Sequence, residues 1–142
     1  MATDCYCSLV IRHPEEEKVK EAYLAFKNGN LLQYFSPMEE QPAYATTWDA
    51  WDTNGDIYDM EQSDHVTLND IRKDNDAYEL HLWFCTAWGP PTNALNTAVD
   101  KGFTIDLTWH LETNELFGTQ KNKICVEKQG NLVEDNGDID VD

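Results

Sequence analysis

Two histidines and two carboxylates stand where strand alternation turns side chains outward: His81 near Glu79, and His110 near Asp106. Imidazole with carboxylate is the residue chemistry of general acid–base catalysis or of a metal centre, and both need the groups within reach of one proton or one ion. In a sheet where their two strands flank a third rather than touch, the pairs cannot converge, and the histidines read as surface residues. A second grouping, Asp52-Thr53-Asn54-Gly55-Asp56, sets oxygen ligands at alternate positions as a calcium loop does. Ile57 then stands at the sharp-turn glycine position and Ser63 at that of the bidentate Glu, so the segment reads as an Asn-Gly turn. Cys5, Cys7, Cys85 and Cys125 lack the paired knuckles of a zinc site and are expected as reduced, metal-free, buried thiols. No Ser or Cys nucleophile motif and no phosphate-binding glycine loop is found. The residues therefore point away from an enzyme, and neither cofactor nor metal is expected.

Charge is the stronger signal. The 142 residues hold 27 Asp and Glu against 10 Lys and Arg, a formal net charge of −17. Such a field repels nucleic acid and anionic membrane and attracts proteins with basic surfaces. Between Asp49 and Glu79 ten acids face only Arg72 and Lys73, and Trp48, Trp51, Tyr58 and Met60 are interleaved. Duplex DNA carries one charge per roughly 1.7 Å of axis, so carboxylates at comparable spacing can fill the Lys and Arg sites that a protein keeps for phosphate. Aromatic anchors inside a charged rim are what interface hot spots use. The expected partner-binding residues are Trp48, Asp49, Trp51, Asp52, Asp56, Asp59, Glu61, Asp64 and Trp88. Neutralising the acids among Asp52–Asp64 is expected to spare the fold.

The elements follow from periodicity. Cys5, Cys7, Leu9 and Ile11 alternate with Tyr6, Ser8 and Arg12, giving a strand over 5–12. Pro14, Glu15, Glu16 and Glu17 open a helix whose apolar stripe is Val19, Ala22, Tyr23 and Phe26, closing at Lys27 and Gly29. Residues 31–47 read as a connection with a short apolar anchor, and 48–58 as a second strand broken at Asn54-Gly55. Strands are expected over 77–85 and 103–111, with a helix on Ala94, Leu95, Ala98 and Val99 between them, and a last strand over 122–127. The start of the chain has neither a basic leader region nor a small-residue cleavage site, and no run of about 18 apolar residues occurs, so a soluble, cytoplasmic protein is expected. The order gives an α+β class: a ferredoxin-like antiparallel sheet over residues 1–130, two helices on one face and an added C-terminal strand. Residues 131–142 carry five acids and no bases and are expected to be a disordered tail.

The segments Tyr44-Ala45-Thr46-Thr47-Trp48-Asp49-Ala50 and Phe84-Cys85-Thr86-Ala87-Trp88-Gly89-Pro90-Pro91, followed by Glu112 and Phe117-Gly118, are similar in order and spacing to the YubB-like ferredoxin-domain family of phages and plasmids. Ala45, Thr47 and Gly89 depart from that family's Gly, Lys and Ser. The resemblance implies the fold and a mobile-element setting, and no reaction. Together with the charge it leads to an expected function: an anti-CRISPR-like or anti-restriction inhibitor, a partial DNA mimic that binds a basic site on a host nucleic-acid-binding protein. A direct nucleic-acid or membrane contact is not expected, because an open sheet face with Tyr6 and Trp83 lacks the basic residues such contacts need. Two alternatives remain open at this point. One is a small-molecule or peptide-binding module around Trp48, Trp88 and the Pro90-Pro91 turn, and the other a carboxylate enzyme.

Overall fold

In the computed structural model the described residues are 4–58, 65–111 and 116–129. They form a mixed α+β structure with one antiparallel six-stranded sheet and four α-helices. The strands are β1 (Asp4–His13), β2 (Arg72–Asp74), β3 (Ala77–Ala87), β4 (Thr104–Leu111), β5 (Leu116–Lys121) and β6 (Ile124–Gln129), in the order β2-β3-β1-β4-β5-β6. The helices are α1 (Glu16–Lys27), α2 (Leu31–Phe35), α3 (Thr47–Trp51) and α4 (Thr92–Asp100).

Alternation in β1 fixes the register of the whole sheet. Cys7, Leu9 and Ile11 pair with Phe84, Leu82 and Leu80 on β3 and with Trp109, Leu107 and Ile105 on β4, all buried on one face. A slip of one residue would turn each of these side chains outward, and each is worth roughly 1.5–3 kcal/mol when buried. Helix α1 lays Val19, Ala22 and Phe26 against this face, and α4 adds Ala94, Leu95 and Ala98. The N-cap of α1, Glu15, makes no side-chain cap; its amide donates instead to His13 Nδ1 at 3.0 Å.

Several expected elements need correction. The connection after α1 contains helix α2, because Leu31, Leu32 and Phe35 meet the core and Asp56 caps its first turn from a distant loop. Segment 48–58 is no strand: it opens with α3, and only a single bridge, Tyr58 to Cys85, joins its end to the sheet. The capping box Thr46–Asp49 fixes that helix start, with Thr46 N donating to Asp49 Oδ2 at 2.9 Å and Asp49 N donating to Thr46 Oγ1 at 3.3 Å. The strand missing from 48–58 is supplied by the short β2, paired to β3 across a turn at Asn75, whose φ is 58°. At the C-terminal end a β5–β6 hairpin replaces the single expected strand, turning at Asn122 with φ 56°. Gly118 in β5 has a packing reason: a methyl there would come within 2.8 Å of the Trp109 ring and would strike the Val126 carbonyl. Of the cysteines, Cys5, Cys7 and Cys85 are buried thiols, whereas Cys125 on β6 is exposed.

Among the described residues, no helix is long and apolar enough to cross a membrane. Residues 131–142 and the expected partner-binding acids Asp59, Glu61 and Asp64 lie outside the described residues.

Candidate partner-binding site

Helix α3 and the turn between β3 and α4 bring Trp48 and Trp88 together from 40 residues apart. Their rings meet edge to face, 5.7 Å between centroids at 63°, and the residues remain 47% and 48% exposed. Trp88 has a φ of 79°. A bulky residue in the left-handed region costs about 1–2 kcal/mol, so the surrounding structure must hold it there. Two bonds flank it: Thr86 Oγ1 donates to the Gly89 carbonyl at 2.6 Å, and Asn54 N donates to the Ala87 carbonyl at 3.2 Å. Pro90 and Pro91 then stop the chain from continuing as strand, and α4 begins at Thr92.

Two carboxylates stand at this corner. Asp49 follows Trp48 in α3 and spends Oδ2 on Thr46. Asp52 ends α3 in the left-handed conformation with φ 68°, and its backbone carbonyl lies 3.9 Å from where a side chain on Gly89 would begin. Asn93, at the start of α4, ties the group together by donating to Asp49 O at 3.3 Å and to Asp52 Oδ1 at 3.2 Å. Burial pushes the Asp52 carboxyl above its usual value, with the Asn93 backbone amide opposing. Among the described residues no Lys or Arg reaches Asp49 or Asp52.

The other expected residues sit differently. Trp51 points inward, 4% exposed, and donates from Nε1 to the Ser36 carbonyl at 2.8 Å, which seats α3 on the core. Asp56 is engaged by backbone: Leu32 N and Gln33 N donate to it at 2.9 Å each, and Ile57 N at 2.8 Å. Burial raises its carboxyl and these three amides oppose that rise. Its first task is therefore to join the loop to α2, so Asp56 is a bonded, part-buried acid and not the free surface carboxylate expected for partner binding.

The sheet face away from the helices carries the remaining chemistry. His81 Nε2 and Ser8 Oγ are 2.6 Å apart, the His81 ring lies 3.9 Å from that of Trp83, and Tyr6 stacks on His110 at 5.0 Å. A cleft of about 400 Å³ beside them is lined by Val10, Arg72, Glu79, His81 and Trp83 among others. Burial lowers the His81 pKa, against opposing pulls from Glu79 and Asp106. His81 and Asp106 oppose Val10 from either side, two strand spacings or roughly 9–10 Å apart, and His110 lies four residues further along β4. The histidine–carboxylate pairs of the sequence are thus not assembled into one site. Glu79 is taken by Arg12 at 2.6 Å, with Asp74 on the same guanidinium at 2.8 Å. Among the described residues no three His, Cys, Asp or Glu converge as a metal site.

What periodicity alone missed was the ring contact and the strain behind it. The capping-box spacing Thr46-x-x-Asp49 was readable, and it marks the helix that presents Trp48. Comparison of the chain with protein-family models, with curated proteins and with solved structures finds no match, so the site rests on its own geometry.

Proposed function

We propose that this chain is a small acidic binding protein, not an enzyme, that docks its Trp48–Trp88 corner on a basic surface of a host nucleic-acid-binding protein. One observation carries the reading: two half-exposed indoles held together by strained backbone, beside carboxylates without a cation of their own, on a chain of net charge −17. Aromatic anchors supply desolvated contact area, and the carboxylates and overall field supply steering and choice of partner.

The finer form is an anti-CRISPR-like or anti-restriction inhibitor that acts in the host cytoplasm as a partial DNA mimic. The YubB-like motifs supply the mobile-element setting for this proposal. The order β2-β3-β1-β4, with α1 and α4 on the connections, supports the ferredoxin-like part of it. A peptide- or small-molecule-binding role for the same indole pair is the second reading, because the pair would serve it equally.

Affinity capture from bacterial lysate at about 50 and 300 mM salt, followed by elution with duplex DNA, separates the two. The mimic reading expects a DNA-binding protein that is lost at the higher salt and released by the duplex. A partner retained at both salts and indifferent to DNA would replace it with the second reading.

A further inference from the structure

We propose that the Trp48–Trp88 corner is a cation cage that takes an arginine guanidinium of the partner, one indole face stacking on it and Asp49 and Asp52 accepting its N–H groups. The inference rests on the proposed docking role of this corner and names the chemistry of what enters it.

Three features lead there. Within the chain Asp49 is engaged at Oδ2 by Thr46, and Asp52 by the Asn93 side chain at Oδ1 and by the Asn93 backbone amide, so both carboxylates meet neutral donors and no cation among the described residues. The sequence contains no Lys or Arg over 41–71 or over 74–100, the stretches from which the corner residues come. Several acids elsewhere have a base beside them: Arg12 holds Asp74 and Glu79, Lys20 reaches Glu16 and Glu17, Lys101 reaches Glu40 and Lys123 holds Asp100. At the corner, carboxylates and aromatic faces meet with no cation from among the described residues.

The backbone argues the same way. Glycine would occupy φ 79° at position 88 without cost, whereas Trp pays for it while leaving half its surface in water. Folding gains little from that arrangement; a ligand for the ring face gains from it. A cation over indole is worth about 0.5–2 kcal/mol according to desolvation. Arginine fits better than lysine, because a planar guanidinium stacks on a ring and still donates sideways to a carboxylate.

The test follows the five indole N–H signals of the intact protein by NMR while adding Ac-Gly-Arg-Gly-Arg-Gly-NH2, its lysine counterpart, or the version with uncharged citrulline. The cage expects saturable shifts of Trp48 and Trp88 with the arginine peptide, at least fivefold weaker binding of the lysine peptide, and no saturation with citrulline. Trp83, on the other face, should stay in place. Trp88→Gly, which keeps the backbone conformation, should abolish saturation while the remaining indole signals keep their dispersion. Equal affinity for arginine and lysine peptides, or saturation that survives Trp88→Gly, would overturn the cage. If peptides fail but salt-sensitive, duplex-displaced capture persists, the cage is wrong and the docking role stands. If peptides saturate the pair but no DNA-binding protein is captured, the cage stands and the mimic reading falls.

Discussion

The Trp48–Trp88 corner and the helix-free sheet face contain the same kinds of residue, aromatic rings among acids, but they differ in whether those acids are already satisfied. On the sheet face Glu79 and Asp74 share Arg12, and His81 meets Ser8. Strand register also places Arg72, Lys121 and Lys128 on that face with Arg12, so its strands carry four bases against Asp4, Asp74, Glu79 and Asp106, and the expectation that this face lacks basic residues does not hold. At the corner Asp49 and Asp52 meet only neutral donors. The difference teaches that a net charge of −17 does not locate a site. On the proposed reading, charge left unmatched beside exposed aromatic surface does.

The largest effects should fall on binding. Trp48→Ala or Trp88→Ala should weaken the captured partner by about 2 kcal/mol or more, some thirtyfold, as expected for an aromatic hot spot, while Trp83→Ala should change it less than twofold. Titration of each variant against the purified partner checks this. A comparable loss with Trp83→Ala would mean that the sheet face takes part.

Next comes a contrast between two acids four residues apart. Asp56→Asn replaces one acceptor oxygen with an NH2 group facing backbone amides, and should cost about 2 kcal/mol in urea unfolding. Asp52→Asn keeps an acceptor for Asn93 and suits the left-handed backbone, so its unfolding midpoint should hold or rise slightly. Because the folded state raises the Asp52 carboxyl, it holds that proton more tightly than the unfolded chain does. Its ionised form therefore works against stability at neutral pH, and that penalty fades as pH falls through the raised value. Substitution to Asn should remove this contribution from the pH profile. An Asp52→Asn protein less stable than Asp56→Asn would break the distinction.

Smaller effects belong to the sheet face. Arg12→Ala should lower the urea midpoint only slightly, since its pairs with Asp74 and Glu79 are open to solvent, and should leave partner binding unchanged. His81 has the opposite sign to Asp52: its pKa is lowered on folding, so the unfolded chain binds the proton more readily. Stability from this group is present above the ordinary imidazole value of 6.5 and is lost as pH falls through it. His81→Gln should flatten the stability profile in that range, measured by denaturant midpoints between about pH 5 and pH 8.

Much of the sheet was legible beforehand because its signal is local. The alternation of 5–11 and 103–111 states which side chains are buried, and the structure buries those residues. Helices α2 and α3 were hidden for a physical reason: five residues make too few turns for a periodic stripe, and both depend on capping, α2 from Asp56 more than twenty residues away. Strand β2, Arg72-Lys73-Asp74, has no apolar pattern at all and exists through its pairing with β3. Gly118 interrupted the pattern of β5, although the Trp109 ring is what demands it. At the site, the sequence nominated Trp48, Asp49, Asp52 and Trp88, which the fold gathers. It also nominated Trp51 and Asp56, whose burial and backbone bonds arise only in three dimensions.

The most direct test removes equal charge from the two regions. Asp49→Asn with Asp52→Asn takes two charges from the corner, and Asp74→Asn with Glu79→Gln takes two from the sheet face, so the overall field weakens identically. The account predicts that only the corner pair lowers affinity for the captured DNA-binding protein at about 50 mM salt, by tenfold or more, and flattens its salt dependence. Equal losses from both pairs would contradict it, and would return the activity to bulk charge alone.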